Sequence, residues 1–251
     1  MLKSFTQAAA DYCAAAKNRT RQSVPRLLIL GILAGMFIAL AGTAASVGGA
    51  LAGKIASAAI FPAGLAMVIL AGSELFTGNC LFLLPLLRGD ITGGRTMGSW
   101  AVVYCGNLIG SIVIAFVVVR CGVLDSIAPA AIATAAAKAS LPFGAAFLRG
   151  VLCNLLVCLA VWMAFCAGSA GGKVVSLYGP IFLFVLCGFE HSIANMFYLP
   201  AGILLSGGAE VTWLDFLRNL GPVTLQYGRR LRPGGYTLYA VWEKLPIKKI
   251  R

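Results

Sequence analysis

Charge is scarce in this chain. Only 11% of its 251 residues are Asp, Glu, Lys or Arg, just 8 of them acidic, while 60% are hydrophobic. A soluble domain carries about 25% charged residues, so an ordinary water-soluble fold is excluded, and a mean hydropathy of +0.91 points to lipid. Histidine occurs once, as His191, and none of the eight cysteines stands in a C-x-x-C pair. Such a composition holds no metal-ligand cluster and no evident nucleophile with its base, so neither a cofactor nor an enzymatic activity is expected.

Apolar sequence is what the chain has in excess. Runs at 27–47, 97–119 and 150–172 contain no charged residue, and each reaches the roughly 20 residues needed to cross about 30 Å of hydrocarbon. Two shorter runs, 55–71 and 174–189, end in a repeated pattern, after which apolar sequence resumes at 75–87 and 192–205. The pattern reads Gly72-Ser73-Glu74-Leu75-Phe76-Thr77-Gly78-Asn79 and then Gly188-Phe189-Glu190-His191-Ser192-Ile193-Ala194-Asn195, with Gly, Glu and Asn in the same places. A glycine-started, carboxylate-bearing break in two corresponding hydrophobic segments marks the permeation site of a duplicated membrane transporter. Irregular backbone at membrane depth is tolerated only where protein or a cavity surrounds it. With a weaker sixth span from Trp213, the expectation is an all-α integral membrane protein of six transmembrane helices, two of them broken. The transmembrane domain is placed at 26–228, after an amphipathic cytoplasmic segment at 1–25 and before a basic tail at 229–251.

The net charge of +12 is distributed unevenly. Of the 20 Lys and Arg, 15 fall on one predicted side: five in residues 1–26, Arg88, Arg95, Lys173 and seven in the tail. That bias predicts a multi-pass protein of the inner (plasma) membrane with both termini cytoplasmic. The basic residues form no nucleic-acid-binding motif, so no nucleic-acid partner is expected. Residues 1–26 lack the apolar core of a cleavable signal peptide. Gly31 with Gly35, and Gly106 with Gly110, form G-x-x-x-G pairs that predict close helix contacts.

Few ionisable groups lie within the apolar stretches, and each is a candidate for the bundle interior. Glu74 and Glu190 follow the breaking glycines, where unpaired backbone N–H groups are expected to donate to them. His191 has Leu75 as its counterpart in the first repeat, so scaffold symmetry does not explain it, and it can titrate near neutral pH. Thr77 offers a hydroxyl that could face it across a pore.

These motifs, together with Leu152-Cys153-Asn154-Leu155-Leu156-Val157-Cys158-Leu159-Ala160-Val161-Trp162, closely resemble the formate/nitrite transporter family. The resemblance runs from about residue 20 to about residue 225. It implies a homopentamer of aquaporin-like protomers in the lipid bilayer, each with its own pore for small monovalent anions and protons. It makes Thr77 and His191 the central polar pair, joined by Lys138, Asn154 and Asn195, with Lys138 as a vestibule lysine. It places hydrophobic constrictions at Phe61 and Phe184 on the outer side, and at Leu65, Leu75 and Phe76 on the cytoplasmic side. Formate or nitrite is the leading substrate; hydrosulfide and short-chain carboxylates such as acetate or lactate are the alternatives within the family. An aquaporin-type neutral-solute channel is the alternative of another class, and its paired Asn-Pro-Ala motifs are missing here.

The resemblance breaks down after Leu225. Where the family continues an apolar helix with Gly-Asn and Gly-Gly, residues 226–235 carry three arginines and a proline, which cannot face lipid. Codons exist for this stretch that restore the family pattern when the frame moves by one nucleotide, so the tail is a candidate frameshift.

Overall fold

A computed structural model describes residues 3–229, which are helical nearly throughout; the tail and its candidate frameshift lie largely outside them. Helix α1 (Phe5–Arg19) starts at Ser4, whose hydroxyl accepts from the Gln7 N–H at 3.3 Å, an N-cap that satisfies one of the free donors of a first turn. Helix α2 (Val24–Ile60) joins the predicted run at 27–47 to the start of the next. Between them stands a kink at Ala52 and Gly53, with Gly53 at φ 80° and ψ −178°, in place of a separating loop.

Phe61 then leads into α3 (Pro62–Ala71), where proline at the first position costs no hydrogen bond. Gly72 ends α3 at φ 69°, a left-handed geometry that costs other residues about 1–2 kcal/mol. The chain runs extended through Leu75 (φ −105°, ψ 122°) and re-enters helix as α4 (Phe76–Asn79), a 3₁₀ turn and α5 (Leu83–Leu87). The second repeat does the same. Helix α9 (Ala170–Cys187) ends at Gly188 (φ 70°), the backbone is extended at His191 (φ −103°, ψ 115°), and α10 (Ser192–Ser206) follows. The shared pattern in the sequence is thus a shared backbone path.

Helix α6 (Gly93–Arg120) lies against α2 with its backbone touching. A Cβ on Gly31 would stand 3.0 Å from the Val103 carbonyl oxygen, one on Gly106 would stand 2.8 Å from that of Leu28, and Gly35 and Gly110 leave still less room. Helix α7 (Ala128–Ala139), built mostly of alanine, is an element that sequence reading did not assign as a helix. It precedes α8 (Phe143–Cys166), and α11 (Trp213–Arg229) closes the bundle against α7, α8 and α10.

Among the described residues, four helical segments are long and apolar enough to cross a bilayer: Val24–Ala71, Gly93–Arg120, Phe143–Cys166 and Ala170–Cys187. Phe76–Leu87 and Ser192–Ser206 are shorter apolar helices. The outer faces expose large apolar side chains such as Phe116, Leu148 and Val175, a surface suited to lipid or a neighbouring subunit.

Candidate permeation site

The two extended breaks bring the repeats together at one polar contact. Thr77, in the first turn of α4, and His191, at the N-cap of α10, face each other with Oγ1 to Nε2 at 3.1 Å, both fully or nearly buried. His191 Nδ1 accepts from the Ala194 backbone N–H at 3.0 Å. An amide can only donate, so Nδ1 is the acceptor nitrogen and the neutral ring carries its hydrogen on Nε2, directed at the Thr77 oxygen. His191 therefore caps a helix as well as lining the site, a role that its identity alone did not reveal.

Apolar rings flank this pair. Phe184 stacks on His191 with centroids 5.6 Å apart and planes at 16°, and Phe61 meets Phe184 edge to face at 5.6 Å. Beyond them opens a cavity of about 410 Å³, whose wall includes Lys54, Thr134, Lys138, Phe61, Phe184 and His191. A second cavity of about 160 Å³ is lined by Tyr12, Arg19, Leu65, Leu75, Asn79 and Lys173. Of the five predicted constriction residues, Phe76 lines neither cavity; its ring sits 5.0 Å from that of Tyr104 and 6.3 Å from that of Trp100.

Each break is tied by a carboxylate that accepts from side-chain donors. Glu190 takes two contacts from Lys138 Nζ, at 3.0 and 3.1 Å, and one from Asn195 Nδ2 at 2.6 Å. Asn195 also donates to Asn219 Oδ1 at 2.8 Å, and Asn219 Nδ2 returns to the Lys138 carbonyl at 2.8 Å. The four residues form a closed ring joining α7, the second break, α10 and α11. Glu74 accepts from Asn79 Nδ2 at 2.9 Å and lies 3.5 Å from Arg19 Nε. Buried carboxylates at these positions are tolerable because each has a cation and an amide beside it.

The backbone at the first break is held by Asn107 of α6. Its Oδ1 accepts from the Phe76 N–H at 2.9 Å, and its Nδ2 donates to the Gly31 and Glu74 carbonyls at 2.8 and 3.0 Å. Asn154 is buried and accepts a long contact from Cys158 Sγ at 3.8 Å. Sequence reasoning missed Asn107, Asn219 and Arg19. The lone amide of the apolar helix α6 was the available signal for the first. Among the described residues no cluster of three or more His, Cys, Asp or Glu is placed to hold a metal.

A family model described as "Formate/nitrite transporter" matches residues 6–226. The chain is 40% identical over 253 aligned positions to a "Probable formate transporter" of Methanothermobacter thermautotrophicus, covering 89% of this chain and 90% of that one. A solved "FNT family ion channel" superposes with a TM-score of 0.86 at 28% identity, covering 96% of this chain and all of the other. A "Pentameric formate channel with formate bound" gives 0.74 at 31% identity, covering 88% and 96%. The match takes in both broken helices, the carboxylate ties and the wall of each cavity, and the chain belongs to the formate/nitrite transporter family.

Proposed function

We propose that this protein carries formate or nitrite through a pore within each protomer of a homopentamer, in the inner membrane with both termini cytoplasmic. The observation that carries the reading is the Thr77–His191 contact, set between two cavities and flanked by apolar rings. Membership of the family and likeness to a formate-bound pentamer support the substrate class and the assembly.

The geometry limits the mechanism. An anion passing Phe61 and Phe184 sheds water at a cost of several kcal/mol, about what a buried charge costs unless it is paired, whereas its neutral acid loses far less. Lys138 stands in the larger cavity with two contacts to Glu190, which leaves one N–H of its ammonium for an anion. At the centre, Thr77 and the Nε2–H of His191 can hold an oxyanion by hydrogen bonds.

Proton transfer follows from His191. Gaining a proton means placing a hydrogen on Nδ1, which already accepts from Ala194. Protonation therefore breaks the cap. The imidazolium gives its Nε2 proton to the anion held there, and the neutral acid leaves past the second apolar layer at Leu65 and Leu75. The ring, left with its hydrogen on Nδ1, regains the capping form when Nε2 takes a proton from water and Nδ1 releases its own. Uptake of labelled formate, nitrite, hydrosulfide, acetate and lactate into proteoliposomes tests this reading. Formate or nitrite should enter fastest, with a rate that rises as pH falls; preference for hydrosulfide or a larger carboxylate reassigns the substrate, and passage of glycerol without any anion rejects the reading.

A further inference from the structure

The larger cavity contains two ammonium groups in different electrical situations. Lys138 Nζ lies 3.0 and 3.1 Å from the two Glu190 oxygens. A cation and a carboxylate at that distance act on a distant ion as a dipole, and their field falls off faster than that of a single charge. Lys54 has no carboxylate within ion-pair distance among the described residues. It follows Gly53, whose φ of 80° interrupts α2 and turns the chain at the cavity rim.

The Lys54 ammonium comes within 3.7 Å of where a Cβ on Gly188 would stand, at the C-terminal end of α9. A helix C-terminus carries about half a negative charge, enough to hold an ammonium in place without cancelling it. Of the hydroxyls on the same wall, Ser46 donates to the Gly42 carbonyl at 2.9 Å and Thr134 to that of Ala130 at 2.8 Å, while those of Ser57 and Tyr198 are neutral and do not compensate a cation. Lys54 is thus the uncompensated positive charge and a free donor facing this cavity.

We propose that Lys54 is the residue that recruits small monovalent oxyanions into this vestibule, ahead of the Phe61–Phe184 pair. Lys138, bound to Glu190, then acts at short range on an anion that has already arrived. This assignment rests on the anion-transport reading above and adds a second cation with a separate task.

Formate flux into proteoliposomes of the full chain, measured at about 20 mM and about 0.5 M salt, tests it, because the Debye length shrinks from about 20 Å to about 4 Å over that range. Lys54→Met keeps the apolar stem and removes the charge; its flux should fall about tenfold at low salt, within the range of electrostatic steering, and approach wild type at high salt. Lys54→Arg should keep most of the low-salt flux, and the assembled size of each variant should match wild type on a sizing column. Lys54→Met as fast as wild type at low salt overturns the proposal. So does an equal loss at both salt concentrations, or an equal loss in Lys54→Arg, since either marks a helix-end contact rather than a recruiting charge. A wild type that carries no small anion at either salt rejects the transport reading and this one with it, whereas a formate-carrying wild type with a neutral Lys54→Met rejects this one alone.

Discussion

At the scale of the residue, His191 does two jobs that one substitution can separate. Its Nδ1 caps α10 and its Nε2 faces Thr77. His191→Phe removes both functions, losing about 1 kcal/mol of cap stabilisation as well as titration. His191→Asn keeps a capping oxygen and loses titration together with the ring stacked on Phe184. Both variants should lose the acceleration of uptake at low pH, while only His191→Phe should unfold earlier in a thermal melt of the detergent-solubilised protein. A His191→Asn protein with the wild-type pH profile would remove His191 from proton transfer. Lys138 and Glu190 form a second coupled unit. Lys138→Ala strands the Glu190 carboxylate, and stranding one partner of a buried pair costs about 3–5 kcal/mol. Lys138→Ala combined with Glu190→Gln should recover most of the lost stability but not the flux. Equal melting temperatures for the single and double variants would show that the pair is not coupled.

At the scale of the element, α2 and α6 approach so closely that glycine is needed at four positions. The Cβ of any other residue at Gly35 or Gly110 would overlap the Asn107 or Ile32 carbonyl. Gly110→Leu should therefore abolish assembly, as judged by loss of a discrete sizing-column peak, because neither backbone can retreat without exposing Asn107. That asparagine is the pin of the first break, with three hydrogen bonds to α2, the break and α4. Asn107→Leu removes the side-chain acceptor of the buried Phe76 N–H and the donor to the Gly31 and Glu74 carbonyls, and losing a buried hydrogen-bond partner costs about 1–3 kcal/mol. The variant should melt well below wild type, and its uptake should fall with it, since α4 carries Thr77. Unchanged melting would mean that water replaces the amide. At the second break His191 itself holds the Ala194 N–H, and Asn219 of α11 joins through Asn195.

At the scale of the whole molecule, the described residues expose large apolar side chains over broad faces, Phe116, Leu148 and Val175 among them. A native mass measurement in mild detergent should give five copies of the 26.1 kDa chain; a stable monomer that still carries formate would make the assembly dispensable. Whether the chain after Leu225 ends a genuine last helix is a matter of its coding DNA. If the codons actually used for residues 226–235 do not read as the family pattern in the shifted frame, the divergent tail belongs to the protein.

Much of this arrangement was legible before any coordinates. Hydrophobic length alone marked the long spans, because crossing hydrocarbon leaves little room for charge, and the repeated Gly and Glu located both breaks, because a left-handed residue and a buried carboxylate are rare without a cause. The single histidine stood out against its leucine counterpart. Tertiary structure decided the rest. Which atoms satisfy Glu74 and Glu190 depended on Asn79, Arg19, Lys138 and Asn195 arriving from separate segments. Lys138 lies 52 residues from its carboxylate, and no periodicity reports a pairing at that distance. Asn107 and Asn219 looked like ordinary polar residues within helices until packing delivered them to the breaks. The sequence by itself determined where the chain must break and which groups are too costly to bury without purpose. Only the folded bundle decided which charges are paired and which, like that of Lys54, remain free to act at a distance, since compensation is a property of neighbours in space.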